Sequence, residues 1–501
     1  MRPPRRRTVL CSLVIGLMGV ASARAAEPQP TPAGDSESAS GEAEPGAAQV
    51  APADLLKRIE RLEKALEARG DAKSDRLERE NAVLRKRLGQ LETEMQTLRK
   101  ELAKHRADAG KPDPEIEKLR AAIDAIQTDL RLNHSRKPVL SKLDMELYGY
   151  VKLDASYDTH EVANGNYALY VMPEDNRTRD DEFNLTANQT RLGMRIQGPD
   201  VNGVKTSGLL EGDFYGGGAE NKSRFRMRHA YLQLDWPEER FSVLAGQTWD
   251  VISPLYPGTL NFTINWDAGN IGYRHPQVRL TKDVWLNGEQ SVNLTLQGAI
   301  SRTVADRDLA FNDDTGADAG QPTVQGRAAL TFPLVDGRPA TLGAWGHWGR
   351  EEYDIDAYDH SEMWDSWSGG MDVAVPIADW LTVKAEIWTG QALDTYFGTI
   401  GQSIDAGTLQ PLEACGGWLA AAFTPADKWT FHLGAGVDAL DADNADSPDT
   451  RTENRMVFGN VMYALNEQTT VGLELSHWAT EYEQRGTGEA LRLQSSLIYK
   501  F

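Results

Sequence analysis

Cysteine is almost absent from this chain of 501 residues, which contains only Cys11 and Cys415. Cys11 falls inside an N-terminal segment with the features of an export signal, so Cys415 would be alone after cleavage. A single cysteine excludes an intramolecular disulfide and any CxxC redox or zinc motif. We therefore expect strand pairing and packing to stabilise the fold, and we predict no cofactor.

The N-terminal segment has the three parts of a secretory signal. Arg2, Arg5, Arg6 and Arg7 precede an apolar run over 9–21, and the run is followed by the small-x-small sequence of residues 23–25. This order of charge, apolar run and cleavage site is typical of exported proteins. We predict a signal peptide over 1–25 and a mature chain that begins at Ala26.

Long hydrophobic runs and positive charge are also scarce. After the signal, no stretch approaches the roughly eighteen apolar residues that a membrane helix requires. The net charge is -21, and loss of the five arginines in residues 1–25 takes it to -26. Such acidity makes nucleic acid a poor partner. If the protein is in a membrane, it has to cross as a closed β-barrel.

Two regions of different composition follow the signal. Residues 26–50 are rich in Pro, Ala, Gly, Ser and Glu, which predicts a disordered linker. Residues 51–133 are predicted to be an α-helical coiled coil, interrupted by Pro112 and Pro114, because apolar residues recur at spacings of three and four. A narrow stripe of this kind favours oligomerisation over the alternative, a lone amphipathic helix lying on its own barrel. The stripe comprises Leu55, Ile59, Leu62, Leu66, Leu77, Asn81, Leu84, Leu88, Leu91, Met95, Leu98, Leu102, Ile116, Leu119, Ile123, Ile126 and Leu130.

From residue 145 to residue 501 the apolar period changes to two. In the segment 489–501, Leu491, Leu493 and Leu497 alternate with Arg492 and other polar residues. This is the pattern of a strand with one face towards lipid and the other towards a polar lumen. We count sixteen such segments, one of them spanning 185–198. The predicted fold is an all-β transmembrane barrel of sixteen antiparallel strands.

The connections alternate in length, which separates a membrane barrel from a soluble sandwich. Short connections, such as 237–240 and 465–468, are interleaved with long ones, such as 158–184 and 302–322. Short periplasmic turns and long external loops are typical of outer-membrane barrels. We therefore expect a barrel in the bacterial outer membrane, in contact with its lipid, with the coiled coil in the periplasm.

A barrel of sixteen strands is wide enough to hold water, so a diffusion channel is the expected function. The connection 250–275 is unusually apolar, because it carries Tyr256, Phe262 and Trp266. We predict that it folds into the barrel and forms a constriction. The alternative is a loop that packs at a subunit contact.

Other activities have little support in the sequence. The acidic residues of the candidate external loops have no calcium-loop spacing, so solvated loop charge is favoured over a dedicated Ca²⁺ site and no metal is predicted. The chain has no GxSxG or HExxH motif, and its histidines are scattered. We therefore predict no enzymatic activity.

Several segments resemble the DcaP-like trimeric outer-membrane porins. This resemblance implies a homotrimer of sixteen-stranded barrels, a periplasmic coiled coil and uptake of small anionic solutes such as dicarboxylates. It also implies that Gln247, Thr248 and Trp249 begin the inward loop, which Arg274 and Arg279 close. The matching segments are GYVKLDASYDT (149–159), RMRHAYLQL (226–234), LAGQTWD (244–250), YPGTLNF (256–262), HPQVRLT (275–281) and GGW (416–418).

Strand parity and the resemblance together define a predicted constriction and solute-binding site. Its members are basic residues with inward parity and residues at the ends of the inward loop, namely Arg191, Arg195, Trp249, Asp250, Arg274, Arg279, Arg327 and Lys384. Asp250 departs from the family pattern, and an acid there would weaken strict anion selectivity.

Two function hypotheses follow. The first is a porin for diffusive uptake of small hydrophilic, preferentially anionic solutes. The second is a structural outer-membrane protein that tethers the envelope through its coiled coil, with peptidoglycan as the contact.

Overall fold

A computed structural model of the chain describes residues 97, 143–174, 180–217, 222–302, 314, 316–354, 361–441 and 445–501. Residues 133–501 form one compact unit. Its described part contains seventeen strands: β1 (Asp144–Asp158), β2 (Glu182–Thr186), β3 (Arg191–Gln197), β4 (Lys205–Asp213), β5 (Arg226–Trp236), β6 (Phe241–Trp249), β7 (Arg274–Trp285), β8 (Asn293–Ser301), β9 (Thr323–Val335), β10 (Arg338–Asp354), β11 (Ser361–Ala378), β12 (Leu381–Gln391), β13 (Glu413–Ala426), β14 (Trp429–Leu440), β15 (Arg451–Ala464), β16 (Thr469–Tyr482) and β17 (Gly486–Lys500).

The sheet closes on itself. Each strand pairs antiparallel with its neighbour, and β17 returns to β1 with Lys500 opposite Tyr150. Strands β2 and β3 both pair with β1, at different positions along it, so together they occupy one strand position of the barrel. The seventeen described strands therefore occupy sixteen positions around the barrel, which confirms the predicted antiparallel sixteen-stranded barrel. The segment 185–198 was expected to be one unbroken strand, but it is interrupted at residues 187–190.

The two faces of the barrel wall differ in the way that the sequence predicts. In β17 the outward Leu491, Leu493 and Leu497 are 46–47% exposed, whereas the inward Arg492 and Gln494 are at most 3% exposed. Polar side chains face the interior and exposed apolar side chains face outward, which is the reverse of the distribution in a water-soluble protein. This arrangement suits a wall surrounded by lipid.

Connections alternate around the barrel. Turns of two to four residues at 237–240, 336–337, 379–380 and 465–468 lie at one rim, and the long connections 250–273 and 392–412 begin at the other rim. No helix among the residues that the structure describes combines the length and the apolar character needed to span a membrane.

The core lies inside the barrel, where two long loops pack against the wall. Ile252 and Ile271 of one loop join Leu393, Tyr396 and Ile400 of the other in a single buried cluster. The second loop contains a short 3₁₀ helix, Asp394–Tyr396. Packing between loops inside the barrel thus adds apolar contacts that the strands alone do not make.

The predicted signal peptide (1–25), linker (26–50) and coiled coil (51–133) lie outside the described residues, apart from residue 97. They remain predictions.

Candidate functional site: an interior loop facing an arginine-rich wall

The interior loop, residues 250–273, connects β6 to β7 and reaches strands that neighbour neither of them. One of these contacts is with Glu386 of β12. This carboxylate accepts hydrogen bonds from the Ser253 hydroxyl at 2.6 Å and from the Leu255 N–H at 2.9 Å. Two buried donors of the loop thus have an acceptor on the barrel wall. Glu386 therefore anchors the first turn of the loop.

A second anchor lies further along the interior loop. Glu474 of β16 accepts from the N–H groups of Leu260 and Asn261 at 2.6 and 3.2 Å. The Leu260 carbonyl in turn accepts from Lys152 Nζ at 2.9 Å and from the Gln494 amide at 3.0 Å. The wall thus satisfies the buried backbone groups of an irregular segment, as burial requires.

Asp250 fixes the base of the loop. Its carboxylate lies 2.8 Å from Nδ1 of His275 and accepts from the Tyr273 N–H at 2.8 Å and from the Gln325 amide at 3.0 Å. Complete burial raises the pKa of this carboxyl, but His275, Gln325 and the Tyr273 N–H outweigh burial and hold the pKa below its usual value. Asp250 is therefore a structural anion within the protein rather than a charge in the lumen.

Aromatic rings cover the side of the interior loop nearest β5 and β7. Trp266 stacks on Phe397 with ring centroids 4.4 Å apart, and it also meets Tyr273 and Phe262 edge to face. Trp249, at the end of β6, lies 6.1 Å from Trp266. Such pairs add to the stability that their burial supplies, so we expect this part of the loop to be rigid.

The arginine-rich wall consists of Arg191, Arg226, Arg228 and Arg274 with the acids Glu211 and Asp213. Arg228 donates to Glu211 and to Asp213, each at 2.9 Å, and Arg226 binds Asp213 through two nitrogens at 3.0 and 3.1 Å. Arg191 lies 3.4 Å from Glu211. Four arginines and two acids leave an excess of two positive charges.

Contacts with aromatic side chains join this wall to the interior loop. Arg226 Nη1 donates to the Tyr273 hydroxyl at 3.1 Å, and its guanidinium lies 5.5 Å from the Phe262 ring. The Arg228 guanidinium lies 5.9 Å from Trp249. The loop therefore presents aromatic rings, rather than acids, to the arginines.

Arg274 lies inside this junction. It is 1% exposed, and its guanidinium lies 4.4 Å from the Tyr273 ring and 4.5 Å from the Trp249 ring. Both terminal nitrogens lack a hydrogen-bond partner in the described part of the chain. As a member of the predicted constriction and solute-binding site, Arg274 should face the opening, but it is enclosed, because Tyr273 of the loop and Trp249 of β6 cover the end of β7. It contributes its charge from beneath them.

The structure separates the other predicted residues. Arg279 hydrogen-bonds Gln277 at 2.9 Å and also donates to the Trp249 carbonyl, so it supports the base of the loop. Arg327 makes a bidentate pair with Asp372 on the far side of β8. Lys384, on β12, lies 5.9 Å from the Tyr256 ring across the loop.

Arg195 is apart from all of these residues. It is half exposed, pairs with Glu146 at 2.9 Å and lies over the Tyr148 ring. Of the eight predicted residues, the structure brings Arg191, Trp249 and Arg274 into one cluster. Asp250 and Arg279 join them at the base of the loop.

Sequence reasoning missed Arg226 and Arg228, which carry most of the ion pairs in this wall. The pairing of β4 with β5 shifts register beside Glu211, which lies opposite His229, while the next residue of β4 lies opposite Met227. Arg228 is the extra residue at this β-bulge, so it and His229 both point inward. Strict alternation cannot assign two consecutive residues to one face. The bulge itself has no clear signal in the sequence.

Among the described residues, no three His, Cys, Asp or Glu side chains are grouped as metal ligands would be.

The closed sixteen-stranded antiparallel barrel with a polar interior defines a porin-like β-barrel. Residues 118–301 match the model of the DcaP outer membrane protein family. This match confirms the resemblance inferred from the sequence motifs.

A solved structure supports the fold. The outer membrane channel DcaP of Acinetobacter baumannii is 19% identical with a TM-score of 0.59, and the alignment covers 72% of this chain and 98% of that one. The anion-selective porin from Comamonas acidovorans is 13% identical with a TM-score of 0.47, covering 72% and 100% of the two chains. No curated protein matches the chain.

Proposed function

We propose that this chain is an outer-membrane porin through which small hydrophilic solutes diffuse, with a preference for anions such as dicarboxylates. The observation that carries the proposal is the excess of positive charge in the arginine-rich wall, next to the interior loop. A local excess of one sign of charge raises the concentration of the opposite ion in a narrow aqueous path. The total charge of the chain does not decide selectivity, because distant charges are screened within about 10 Å.

The interior loop is the proposed constriction. Its anchors at Glu386 and Glu474 hold it inside the barrel, and its rings cover one side of the arginine-rich wall. These acids are occupied by backbone N–H groups, and Asp250 is enclosed with His275. We infer that solutes meet exposed parts of the arginines before they meet an unpaired acid.

The proposed site of action is the bacterial outer membrane, with lipid against the apolar outer wall and the coiled coil in the periplasm. The match to an outer membrane protein family supports this location. The resemblance supports a homotrimer, and the heptads favour oligomerisation without fixing the number of copies. The outer wall leaves large apolar side chains available to lipid or to a second copy.

The test is the reversal potential of the purified protein in a planar bilayer under a KCl gradient, compared with an Arg191→Gln variant. Arg191 is suited to this test because 23% of its side chain is exposed and it is not enclosed by the loop. Removing one charge near the path changes the ion's energy by up to about 1 kcal/mol. The anion loses attraction and the cation loses repulsion, so the two effects multiply, and we expect the anion-to-cation permeability ratio to fall by up to about thirtyfold.

Arg455→Gln is the matched control, because Arg455 lies on the outer face and pairs only with Glu453 and Glu481 in the described structure. It should leave the ratio unchanged. A folded barrel that conducts but prefers cations would contradict the anion preference. A folded barrel without conductance would contradict the channel and favour the tether.

A further inference from the structure

Three side chains with no access to solvent lie where the interior loop meets β14. Asn265 and Asp267 belong to the loop, Asp438 belongs to β14, and each is 0% exposed. We call these three residues the buried oxygen cluster. The proposed solute path uses none of them.

These side chains have few partners. Both carboxylate oxygens of Asp267, Oδ1 of Asp438 and both amide atoms of Asn265 make no hydrogen bond within the part of the chain that the structure describes. The remaining Asp438 oxygen accepts from the Ile400 N–H at 3.1 Å. A buried polar group without a partner is costly, and a buried carboxylate is more so. A ligand bound to the oxygens that lack a hydrogen-bond partner would offset this cost.

Shared neighbours bring the two acids together. Asp438 lies directly opposite Asn454 in the pairing of β14 with β15, and Asn454 Nδ2 donates to the Asp267 carbonyl at 2.7 Å. The Asp267 N–H donates to Phe397 O at 3.0 Å, three residues before Ile400, which binds Asp438. The same two neighbours, Asn454 and the segment 397–400, thus hold both aspartates.

The Asn265 side chain lies close to the Asp438 segment of β14. A Cβ atom built on Gly436 would lie 3.2 Å from Asn265 Nδ2, and Gly436 precedes Asp438 by two residues on the inward face of β14. Oxygen and nitrogen of an amide exchange places when the side chain is flipped. The Asn265 amide can therefore turn its oxygen towards the space beside the two carboxylates, where it could serve as a third oxygen ligand.

The nearby basic side chain does not neutralise the cluster. Arg451 donates to the carbonyls of Ile400 and Gly401 at 2.9 and 3.3 Å, and its guanidinium lies 4.1 Å from the Tyr170 ring. Its described hydrogen bonds thus leave both carboxylates without a bonded cation. When both acids are ionised, two acids and one arginine leave an excess of negative charge.

We propose that the buried oxygen cluster is a binding site for a divalent cation, with Ca²⁺ as the best fit. Two carboxylates, an amide oxygen and neighbouring carbonyls form the hard oxygen set that Ca²⁺ prefers. The site has only two acids, brought together from separate parts of the sequence, so no calcium-loop spacing marks it. A bound ion joins the interior loop to β14 and stiffens the proposed constriction, but it does not depend on which solute passes.

The test is Tb³⁺ binding to the folded, chelator-treated full chain. Tb³⁺ replaces Ca²⁺ and emits when a nearby tryptophan is excited, and Trp266 lies between the two loop ligands. Burial raises the pKa of Asp267 to about 7, so the titration belongs at pH 8. We expect one saturable Tb³⁺ site per chain, from which Ca²⁺ displaces the bound Tb³⁺. We expect Tb³⁺ to bind at least tenfold more weakly to Asp267→Asn and to Asp438→Asn.

Asp365→Asn is the matched control, because it removes an exposed carboxylate from the outer wall and should leave the site unchanged. Asn265→Asp adds a third acid and should bind more tightly, and it remains informative if an aspartate variant fails to fold. The proposal is overturned if the native chain shows no saturable site, or if both aspartate variants bind Tb³⁺ as the native chain does. It is also overturned if those variants raise the melting temperature equally with and without Ca²⁺, since the carboxylates would then be uncompensated by a cation in both conditions.

Discussion

At the scale of single residues, burial changes what a charged side chain does. Asp250 looks from its position in the sequence like an acid at the mouth of the constriction, yet its carboxylate is enclosed by His275, Gln325 and Tyr273. Arg274 looks like a charge in the lumen, yet aromatic rings cover it. Charge alone therefore does not identify the residues that a solute meets.

Asp250→Asn tests this role. The amide keeps the shape but loses the charge opposite His275, so we expect the free energy of unfolding to fall by about 1–3 kcal/mol. Selectivity should change little. Thermal melting and reversal potential measure the two effects, and a large change in selectivity with unchanged stability would contradict the assignment.

The pKa of Asp250 also predicts a pH dependence. Because the folded-state pKa is lowered, the carboxylate stabilises the fold above its unfolded pKa of about 4. That contribution is lost as the pH falls from there through the folded value. Native melting temperature should therefore drop more steeply below pH 4 than that of Asp250→Asn. Parallel pH profiles would contradict this prediction.

At the scale of elements, the interior loop depends on acids supplied by distant strands. Its backbone N–H groups at Leu260 and Asn261 point at Glu474, and the N–H of Leu255 points at Glu386. An irregular segment without these acceptors would leave buried donors without partners. The loop and the strands that receive it therefore form one structural unit.

Glu474→Ala should release the middle of the interior loop. Loss of the acceptor leaves two buried N–H groups unsatisfied, which costs about 1–3 kcal/mol for each group. We expect larger and noisier single-channel currents, because a loosened loop narrows the lumen less steadily. Glu481→Ala, on the outer face, is the control. Quiet currents equal to those of the native chain would show that Glu474 does not hold the loop.

At the scale of the whole molecule, the outer wall of the described barrel is apolar, and we expect lipid or another copy to cover it. Large apolar side chains such as Leu433, Leu475 and Leu497 are about half exposed around the described barrel. Burying them in a bilayer removes apolar surface from water. We expect the heptads predicted over residues 51–133 to add a second route to association.

Deleting residues 51–133 should separate these two contributions. We expect the full chain to migrate as a trimer in mild detergent, and the shortened chain to lose the trimer at a lower temperature because the helices no longer hold the copies together. Conductance per barrel should persist. An identical melting profile would contradict a role of the helices in assembly. Peptidoglycan pull-down by the full chain alone would support the tether.

The sequence by itself determined the class of the fold, because the signals for it are local. The chain shows a period of two, alternating connection lengths and an unusually apolar connection at 250–275. The sixteen strand positions of the barrel agree with these patterns. Inward parity correctly assigned Arg492 and Glu474 to the interior. Each of these inferences needs only neighbouring residues.

Only the tertiary structure decided which charges pair and which are covered. Closure of the barrel brings Asp267 to Asn454 and Leu260 to Glu474 across about 200 residues. The bulge beside Glu211 turns Arg228 inward against strict alternation. These contacts depend on register, bulges and loop paths that distant residues settle together, and for this physical reason no local pattern could reveal them.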